Sequence, residues 1–459
     1  MGMTVGIDIG GTFTDVVALD DAGNVSTFTK VPSTPLDPSI AVVNGIQKIL
    51  QLAGCGIEEL ERVVHSSTVS LNAIIERKGA RLGLLCTDGF GDLLIIGRQK
   101  RTNMYDLFLD AETPLFLCPR ERIMGIPERL DAAGEVVTPL DEEAVIRAVS
   151  HLVERYKVEA IAVCYLFSYL NPRHEEVTRD LIKRTYPDLK VSISSEVDPQ
   201  MREYERLVIT AFDAYLKPVV ETYLQNLAGN LGRKSTSTIL QVMQSRGGIM
   251  GWRQAAERPI TTALSGPAAG VIGGTHCGRG AGVDNLITVD IGGTSCDICL
   301  ITGGKPLIAQ EGKLDRYPLR QQMIDVSCIG AGGGSIAWID DGGALRVGPQ
   351  SAGAFPGPAC YGRGGAEPTI TDASIVLGYL NPAEFGCGEL DLSPELAAEA
   401  LGRVSERVGL DVPTLALGMH RILNSMMADA IRLASVNRGF DVRQYGLLGL
   451  GGGGFMSAP

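Results

Sequence analysis

Two copies of one short motif carry the residues with the clearest chemical potential. The first copy, VGIDIGGTFTDVV, spans residues 5–17, and the second, ITVDIGGTSCDIC, spans residues 287–299. They align without a gap, so that Asp8 corresponds to Asp290 and each Gly-Gly-Thr corresponds to the other. Each copy has an apolar run on both sides of its glycines, which predicts a strand, a tight turn and a second strand. We interpret the two copies as phosphate-binding hairpins.

The glycines and hydroxyl residues of each turn are suited to binding an anion. Glycine has no Cβ, so a ligand can approach the backbone closely. Successive backbone N–H groups in such a turn form an anion-binding concavity, and threonine hydroxyls can add further donors. The predicted phosphate-binding residues are Gly10, Gly11, Thr12, Thr14, Gly292, Gly293 and Thr294.

The aspartates that precede the glycines need a different explanation. A bare carboxylate beside a polyphosphate is repelled by about 4 kcal/mol per charge pair at close range and intermediate dielectric. A cation between the two reverses the sign, and Mg²⁺ commonly takes one or two carboxylates together with phosphate oxygens. Asp8 and Asp290 are therefore predicted to be catalytic metal ligands for a magnesium nucleotide.

A glycine run near the end of the sequence predicts a further ligand contact. Residues 451–454 are all glycine and follow the apolar run YGLLGL. We expect Gly452 and Gly453 to approach the adenosine part of a nucleotide, with a flexible tail as the alternative. The glycine loop at residues 330–334 runs into another predicted strand, so a dinucleotide-binding strand-helix start is not expected there.

Three weaker candidates for substrate contact lie outside the hairpins. His65 falls at a predicted strand-to-helix junction, where it is either a site residue or a hydrogen-bonded structural one. Arg98 opens a basic cluster, RQKR, that either meets an anionic or amide substrate or forms a solvated face. Asp325 precedes the glycine loop and is the third candidate.

The length and charge of the chain indicate how many domains position these residues and which partners are not expected. With 459 residues the chain is expected to form about two to four domains. The formal net charge is −12 and no long basic run occurs, which argues against nucleic acid and anionic membranes as partners. We find neither an apolar run of about 18 residues nor a signal peptide, so a cytoplasmic protein is expected.

The order of apolar periodicities predicts an α/β fold. Helices are expected over residues 39–52, 200–228, 393–408 and 413–436, with strands between the earlier ones. We predict an N-terminal domain over residues 1–195 with the first hairpin. A second domain over residues 196–459 would hold the second hairpin and the glycine run.

The combination of motifs resembles one family. A duplicated DxGGT hairpin with a later glycine pair resembles the actin-like ATPase superfamily. DIGGTFTD, HSSTVSLNAIIERKGA, GRQKR, LSGPAAGV, DIGGTSCDI, IGAGGGSIAWID and GPACYGRGGAEPTITDA are together similar to the hydantoinase A/5-oxoprolinase family. The resemblance implies a two-domain actin-like (ribonuclease H-like) fold with an interdomain cleft. It also implies that the hairpin glycines and aspartates hold ATP and Mg²⁺, with residues 451–454 facing the adenosine.

The resemblance further implies an activity and a partner. Family members use ATP to activate a cyclic amide, such as a hydantoin or 5-oxoproline, for hydrolysis, usually with a hydantoinase B-type second subunit. A homodimer is left open. Three alternatives also stay open at this point: a small-molecule kinase, an ATP-driven carboxylase subunit, and a non-enzymatic nucleotide switch.

Overall fold

Strands and helices mix along the first half of the chain, as the sequence predicts, whereas ten strands follow one another between α9 and α10. The computed structural model describes residues 2–11, 13–20, 22–34, 37–100, 104–105, 107, 116–232, 238–314, 316–383, 385 and 390–453. The strands of the first half are β1 (Met3–Ile9), β2 (Phe13–Leu19), β3 (Val25–Pro32), β4 (Leu60–Ser67), β5 (Leu82–Thr87), β6 (Ile123–Ile126), β7 (Arg129–Leu130), β8 (Val136–Thr138), β9 (Ala160–Cys164), β10 (Lys190–Ile193), β11 (Ile239–Met243) and β12 (Ile249–Gly251). Its helices are α1 (Pro38–Ala53), α2 (Val69–Ile75), α3 (Leu93–Ile96), α4 (Glu142–Tyr156), α5 (Arg173–Thr185), α6 (Ser194–Val197), α7 (Glu203–Gly232), α8 (Trp252–Glu257) and α9 (Ser265–Gly280).

The second half begins with the repeated hairpin. Its strands are β13 (Leu286–Ile291), β14 (Cys296–Thr302), β15 (Lys305–Pro306), β16 (Ile308–Ala309), β17 (Gly312–Leu314), β18 (Tyr317–Leu319), β19 (Met323–Ile324), β20 (Val326–Ile329), β21 (Ser335–Ile339), β22 (Leu345–Ser351) and β23 (Gly446–Leu450). Its helices are α10 (Ile370–Val376), α11 (Pro394–Val408) and α12 (Val412–Ala434).

Six strands form the sheet that holds the first hairpin, in the order β12-β11-β4-β1-β2-β3. β1 and β2 are antiparallel, whereas β4 runs parallel to both β1 and β11. Val5, Ile7 and Ile9 of β1 are buried in a core shared with α1 and α7. Because successive side chains of a strand point to opposite faces, Gly6 and Asp8 lie on the other face of the sheet.

This sheet continues past the boundary predicted at residue 195. β11 and β12 follow the long helix α7 in the sequence, yet β11 pairs with β4 beside the first hairpin. The residues between β4 and β11 include a separate sheet with the order β10-β9-β5-β6, packed against α4 and α5. The first hairpin sheet is therefore assembled from segments on both sides of an inserted unit.

The second hairpin repeats the topology and the register of the first. The sheet order is β15-β14-β13-β23, with β13 antiparallel to β14 and parallel to β23. Asp8 pairs with Asp15 across the first hairpin, and Asp290 pairs with Asp297 across the second. The duplication seen in the sequence is therefore also a duplication of structure.

Helix α9 connects the two sheets. It contacts β1, β4 and β11 of the first sheet and β13, β14, β15 and β23 of the second. Six glycines lie along this helix. A Cβ atom on Gly274 or Gly278 would lie 2.8 or 2.2 Å from a side chain of β13, so glycine permits the close approach of helix and strand at these two positions. In the part of the chain that the structure describes, no helix has the length and apolarity that crossing a bilayer requires.

Candidate functional site

The two hairpin turns are closed by equivalent hydrogen bonds. The Gly10 N–H donates to the Phe13 carbonyl at 3.0 Å, and the Gly292 N–H donates to the Ser295 carbonyl at 3.0 Å. Both glycine pairs therefore lie at the tip of the same kind of closed turn. Backbone N–H groups that follow one another in such a turn can converge on an anion.

The tips of both hairpins carry N–H donors that no described residue accepts from. Gly11, Gly293 and Thr294 are exposed, and their N–H groups donate to no other described residue. Thr12, which corresponds to Thr294 in the first hairpin, lies outside the described residues. The donors are thus located where the sequence places them, and their use by a phosphate stays a prediction.

Four carboxylates occupy equivalent positions in the two hairpins. Residues that pair across antiparallel strands share a face, so Asp8 lies beside Asp15 and Asp290 beside Asp297. The Ser66 hydroxyl donates to Asp8 Oδ1 at 2.5 Å, and burial raises the pKa of Asp8. Burial, reinforced by the other three carboxylates, raises the pKa of Asp290 to about 6. The two hairpins are therefore within electrostatic reach of each other.

Helix α9 brings the two leading aspartates together. A Cβ atom on Gly266 would lie 3.5 Å from Asp8 Oδ1. A Cβ atom on Gly270 would lie 3.2 Å from Asp290 Oδ2. Residues four apart occupy one face of a helix, with Cβ atoms about 5–6 Å apart. The two carboxylates therefore lie side by side against adjacent turns of the same helix.

A cavity of about 300 Å³ lies against the face of the first sheet that carries Asp8. Its walls include Asp8 and Asp15 of the first hairpin, Ser66 of β4, Met243 of β11 and Ala269 of α9. The cavity provides space beside the carboxylates on the side where α9 approaches them.

The arrangement suits a metal ion that arrives with a polyphosphate. Within the described ranges, no group of three or more His, Cys, Asp or Glu side chains is placed to hold a metal ion. Mg²⁺ keeps most of its waters and needs only one or two carboxylates when phosphate oxygens complete its shell. Asp8 and Asp290 supply two carboxylates, and their pKa values are raised by burial and by neighbouring carboxylates, which the charge of Lys30 offsets only in part.

A glycine loop that the sequence analysis did not assign to the site supports the second hairpin. The Gly333 N–H donates to the Gly292 carbonyl at 3.0 Å. The Gly334 N–H donates to the Gly293 carbonyl at 2.6 Å. A Cβ atom on Gly332 would lie 2.7 Å from the carbonyl carbon of Gly293, so a side chain has no room there. The run of three glycines was the signal that could have revealed this backbone contact.

The glycine run after β23 lies beside Asp290. Gly451 has a φ of +73°, and a Cβ atom there would lie 2.4 Å from Asp290 Oδ1. The Gly453 N–H donates to the Ile291 carbonyl at 2.9 Å, whereas Gly452 faces open space. Both predicted adenosine-binding glycines therefore border the second hairpin, and their contact with adenosine stays a prediction. Residue 454 lies outside the described part of the chain.

Thr14 supports the first turn from inside and does not face the cavity. Its side chain is fully buried, with Oγ1 3.0 Å from the Ser33 hydroxyl. That hydroxyl in turn donates to the Gly10 carbonyl at 2.8 Å. Cys296, the equivalent residue of the second hairpin, is also fully buried. The side chains at this position are therefore buried in both hairpins. The hydroxyl of Thr14 supports the turn, and its use as a phosphate donor stays a prediction.

His65 lies on the core face of β4, opposite to Ser66. Its side chain is fully buried, and Nε2 is 2.6 Å from the Tyr223 hydroxyl of α7. Burial lowers the pKa of His65 to about 4, so the ring is neutral at physiological pH. The structural interpretation of His65 therefore fits its position better than substrate contact does.

The other two substrate candidates lie in ion pairs away from the hairpin tips. The Arg98 guanidinium bonds Glu205 at 2.8 Å and Glu311 at 2.6 Å. Asp325 forms an ion pair with Arg438. Neither side chain lies against α9 beside Asp8 and Asp290, so neither enters the proposal below as a substrate contact.

Two family descriptions cover most of the chain. The one described as Hydantoinase/oxoprolinase matches residues 206–459. The one described as Hydantoinase/oxoprolinase N-terminal region matches residues 4–186.

Proteins of known structure share the whole fold. Caprolactamase subunit alpha of Pseudomonas jessenii is 39% identical over 455 residues, which cover 98% of this chain and 65% of that subunit. The crystal structure of this ATP-dependent caprolactamase matches with a TM-score of 0.82 at 38% identity, covering 98% of this chain and 66% of that one. Nucleotide-free acetone carboxylase matches with a TM-score of 0.86 at 29% identity, covering 98% and 65% respectively. The chain thus spans about two thirds of the length of these relatives, and its fold is the two-domain actin-like ATPase fold that the sequence predicts.

Proposed function

This chain belongs to the hydantoinase/oxoprolinase family, and we propose that it is the ATP-dependent subunit that activates a cyclic amide for ring opening. The relative named caprolactamase, and the crystal structure of an ATP-dependent caprolactamase, support this choice of substrate class. A hydantoin, 5-oxoproline or a related lactam would be the substrate.

One observation supports the proposal above the others: Asp8 and Asp290 lie against adjacent turns of α9. A triphosphate between the two hairpin tips would meet backbone N–H donors from both sides. Asp8 and Asp290 would hold Mg²⁺, which neutralises charge that develops on the transferring phosphoryl group. Because there is little covalent chemistry for the protein to perform in such a transfer, positioning and electrostatics supply most of the catalysis.

The chemistry that this arrangement supports is phosphoryl transfer to an amide oxygen. The amide carbonyl oxygen attacks the γ-phosphorus in line, and the bond from that phosphorus to the bridging oxygen of ADP breaks. The ring nitrogen loses its proton, which leaves an imidate phosphate. Water then adds to the imidate carbon, and the ring C–N bond breaks as the nitrogen takes up a proton, which leaves an acyl phosphate on the opened chain. A second water attacks the acyl phosphate, and a carboxylate and free phosphate are released. We propose that the hydrolytic half takes place with a hydantoinase B-type partner subunit.

Removal of either leading carboxylate tests the assignment. We expect D8A and D290A to abolish lactam-dependent phosphate release while circular dichroism shows an intact fold. Asp341 is exposed in the turn between β21 and β22, so D341A is the matched control and should turn over ATP like the wild type. Wild-type turnover in both D8A and D290A would discard the assignment.

A second candidate function has one specific observation in its favour. The likeness to acetone carboxylase, with a TM-score of 0.86, supports an ATP-driven carboxylase subunit. A screen of ATP hydrolysis over lactams, hydantoins, and ketones with bicarbonate separates the cyclic-amide function from the carboxylase function. The screen is run with and without the protein encoded next to this one. Phosphate release that requires a ketone and bicarbonate, and is not stimulated by any cyclic amide, would favour the carboxylase.

A further inference from the structure

A row of polar side chains crosses the first sheet at the level of Asp8. Asp8 of β1 pairs with Asp15 of β2, and Asp15 pairs in turn with Lys30 of β3. On the other side of β1, Asp8 pairs with Ser66 of β4. Residues that pair across neighbouring strands share a face of the sheet. Lys30, which has no role in the site described so far, therefore lies at the outer end of the row that contains Asp8.

The second hairpin has the equivalent row without the cation. Asp290 pairs with Asp297, and Asp297 pairs with Cys328 of β20. Cys328 thus occupies the position that Lys30 has in the first row, and a thiol carries no positive charge at any pH. The two hairpins match in register but differ at this position, where the first alone supplies an ammonium. The difference indicates a function that one of the two hairpins performs and the other does not.

The charge of Lys30 acts on the aspartates of both hairpins. Burial has the largest effect on the pKa of Asp8 and of Asp290 and raises both, whereas the charge of Lys30 lowers both. Neighbouring strands lie about 5 Å apart. The ammonium already reaches the carboxylate of Asp15 on the next strand, so about one further strand spacing separates it from Asp8. It is therefore close enough to interact with an anion bound between the hairpins.

The ion pair between Lys30 and Asp15 can be exchanged at little cost. Lys30 Nζ pairs with Asp15 Oδ1, and the two side chains are 32% and 52% exposed. Ion pairs with this much exposure contribute little net stability. The backbone of Lys30 is fixed by its pairing with β2, and its carbonyl accepts a hydrogen bond from Lys48 Nζ at 3.2 Å. A change of partner therefore requires only rotation of the flexible lysine stem.

We propose that Lys30 is a catalytic residue, whose ammonium leaves Asp15 and bonds the terminal phosphate of ATP. Lysine binds phosphate as a compact positive charge. In that position the ammonium neutralises charge on the transferring phosphoryl group, beside the metal ion that Asp8 and Asp290 would hold. Asp15 keeps the ammonium at the site while no nucleotide is bound. This inference rests on the proposed function, since it concerns the phosphoryl group that the hairpins would transfer.

Two nucleotides that differ in the terminal phosphate provide the test. We expect the full chain with Mg²⁺ to bind the β,γ-imido analogue of ATP more tightly than ADP in calorimetry. K30M should lose about tenfold to a hundredfold in affinity for the analogue, as expected for a hydrogen bond between charged groups, and less than about twofold for ADP. K30R keeps the charge and should retain most of the preference. K30M should also lower kcat for amide-dependent phosphate release at least about tenfold.

The matched control removes the same charge from the corresponding edge of the second sheet. Lys305 is exposed on β15 and pairs with Thr302, at the opposite end of β14 from Asp297. K305M should therefore keep the preference of the wild type for the analogue over ADP.

A further measurement needs no variant. Lys30 is partly exposed, so acetic anhydride can acetylate it in the wild type, and mass spectrometry measures the modified fraction. We expect the analogue to slow acetylation of Lys30 and ADP to change it little, because only the analogue brings a terminal phosphate to the ammonium.

Four results would overturn the proposal. They are equal affinity of the wild type for the analogue and ADP, an unchanged preference in K30M, an equal loss in K30M and K305M, and acetylation of Lys30 that the analogue does not slow. An equal loss in the two variants would identify a general effect of net charge. Because these binding measurements contain no amide, they stand apart from the proposed function, which fails if no cyclic amide stimulates phosphate release.

Discussion

Helix α9 allows a sharp test of the site, because three of its glycines differ in what a methyl group would meet. A Cβ atom on Gly270 would lie 3.2 Å from Asp290 Oδ2. A Cβ atom on Gly274 would lie 2.8 Å from Thr288 Cγ2, and Gly273 has no heavy atom within 4 Å. The gain in helix propensity from glycine to alanine, about 1 kcal/mol, is common to all three. Differences among the three alanine variants therefore report the neighbour of each methyl group.

The two control variants should change stability alone. G273A is expected to stabilise α9 by about 1 kcal/mol, which slows amide hydrogen exchange of the helix roughly fivefold. G274A adds a contact that is too short, and overpacking costs about 1–3 kcal/mol. After the propensity gain, its net loss of stability is up to about 2 kcal/mol. Neither variant should change ATP turnover per folded molecule.

G270A should show the opposite pattern. Its methyl group forces the Asp290 carboxylate to move by a few tenths of an ångström, while the helix is stabilised as in G273A. Because small misplacements of positioning groups cost up to about a hundredfold in rate, we expect ATP turnover to fall roughly tenfold to a hundredfold. Hydrogen exchange of α9 and steady-state phosphate release, measured on the same samples, check both parts. Wild-type turnover in G270A with an unchanged Mg²⁺ requirement would refute the placement of a metal-binding carboxylate beside this turn.

Two further predictions concern the second hairpin. Burial raises the pKa of Asp290 from its ordinary value of 3.8 to about 6 in the folded protein. The folded state therefore binds more protons than the unfolded state between these values, and it loses stability as pH rises through them. Without metal, D290N should therefore be more stable than the wild type at pH 7, by at most about 3 kcal/mol, and no more stable at pH 3.5. Denaturation of both proteins at the two pH values measures this difference. Equal stability of the two proteins at pH 7 would count against the prediction. A Cβ atom on Gly334 would lie 2.8 Å from the Gly293 carbonyl oxygen. We therefore expect G334A to weaken nucleotide binding at least about tenfold in calorimetry. G402A is the control and should bind nucleotide like the wild type, because a Cβ atom on Gly402 of α11 would meet no atom within 4 Å.

Local patterns were sufficient for the hairpins and for the long helices. The motif repeat predicted two hairpins, and both occur with the same register. The helices predicted over residues 39–52 and 413–436 are observed as Pro38–Ala53 and Val412–Ala434. In both helices Asp accepts a hydrogen bond at the N-cap and proline follows at the first turn, a signal that can be read from sequence.

Long-range contacts were beyond sequence reasoning. The glycine run at residues 332–334 indicates a close backbone contact, but nothing local shows that Gly333 bonds a hairpin 41 residues earlier in the chain. His65 shows the same limit. The sequence indicates that His65 and Ser66 point to opposite faces of β4, but it does not show which of the two faces α7 covers. Arg206 is fully buried and donates to the Tyr165 carbonyl at 2.7 Å, although a charged residue in a helix usually indicates a solvated face. In each case the deciding partner comes from a distant part of the chain.

The end of strand β11 has a consequence for how two cavities of the protein would affect each other. Its last residue, Met243, lines the cavity beside Asp8, and Gln244, the next residue, lines a second cavity. A molecule in either cavity that displaced this strand end would also change the walls of the other cavity. Because such coupling is reciprocal, the factor by which occupancy of the first cavity changed affinity at the second would equal the factor in the opposite direction.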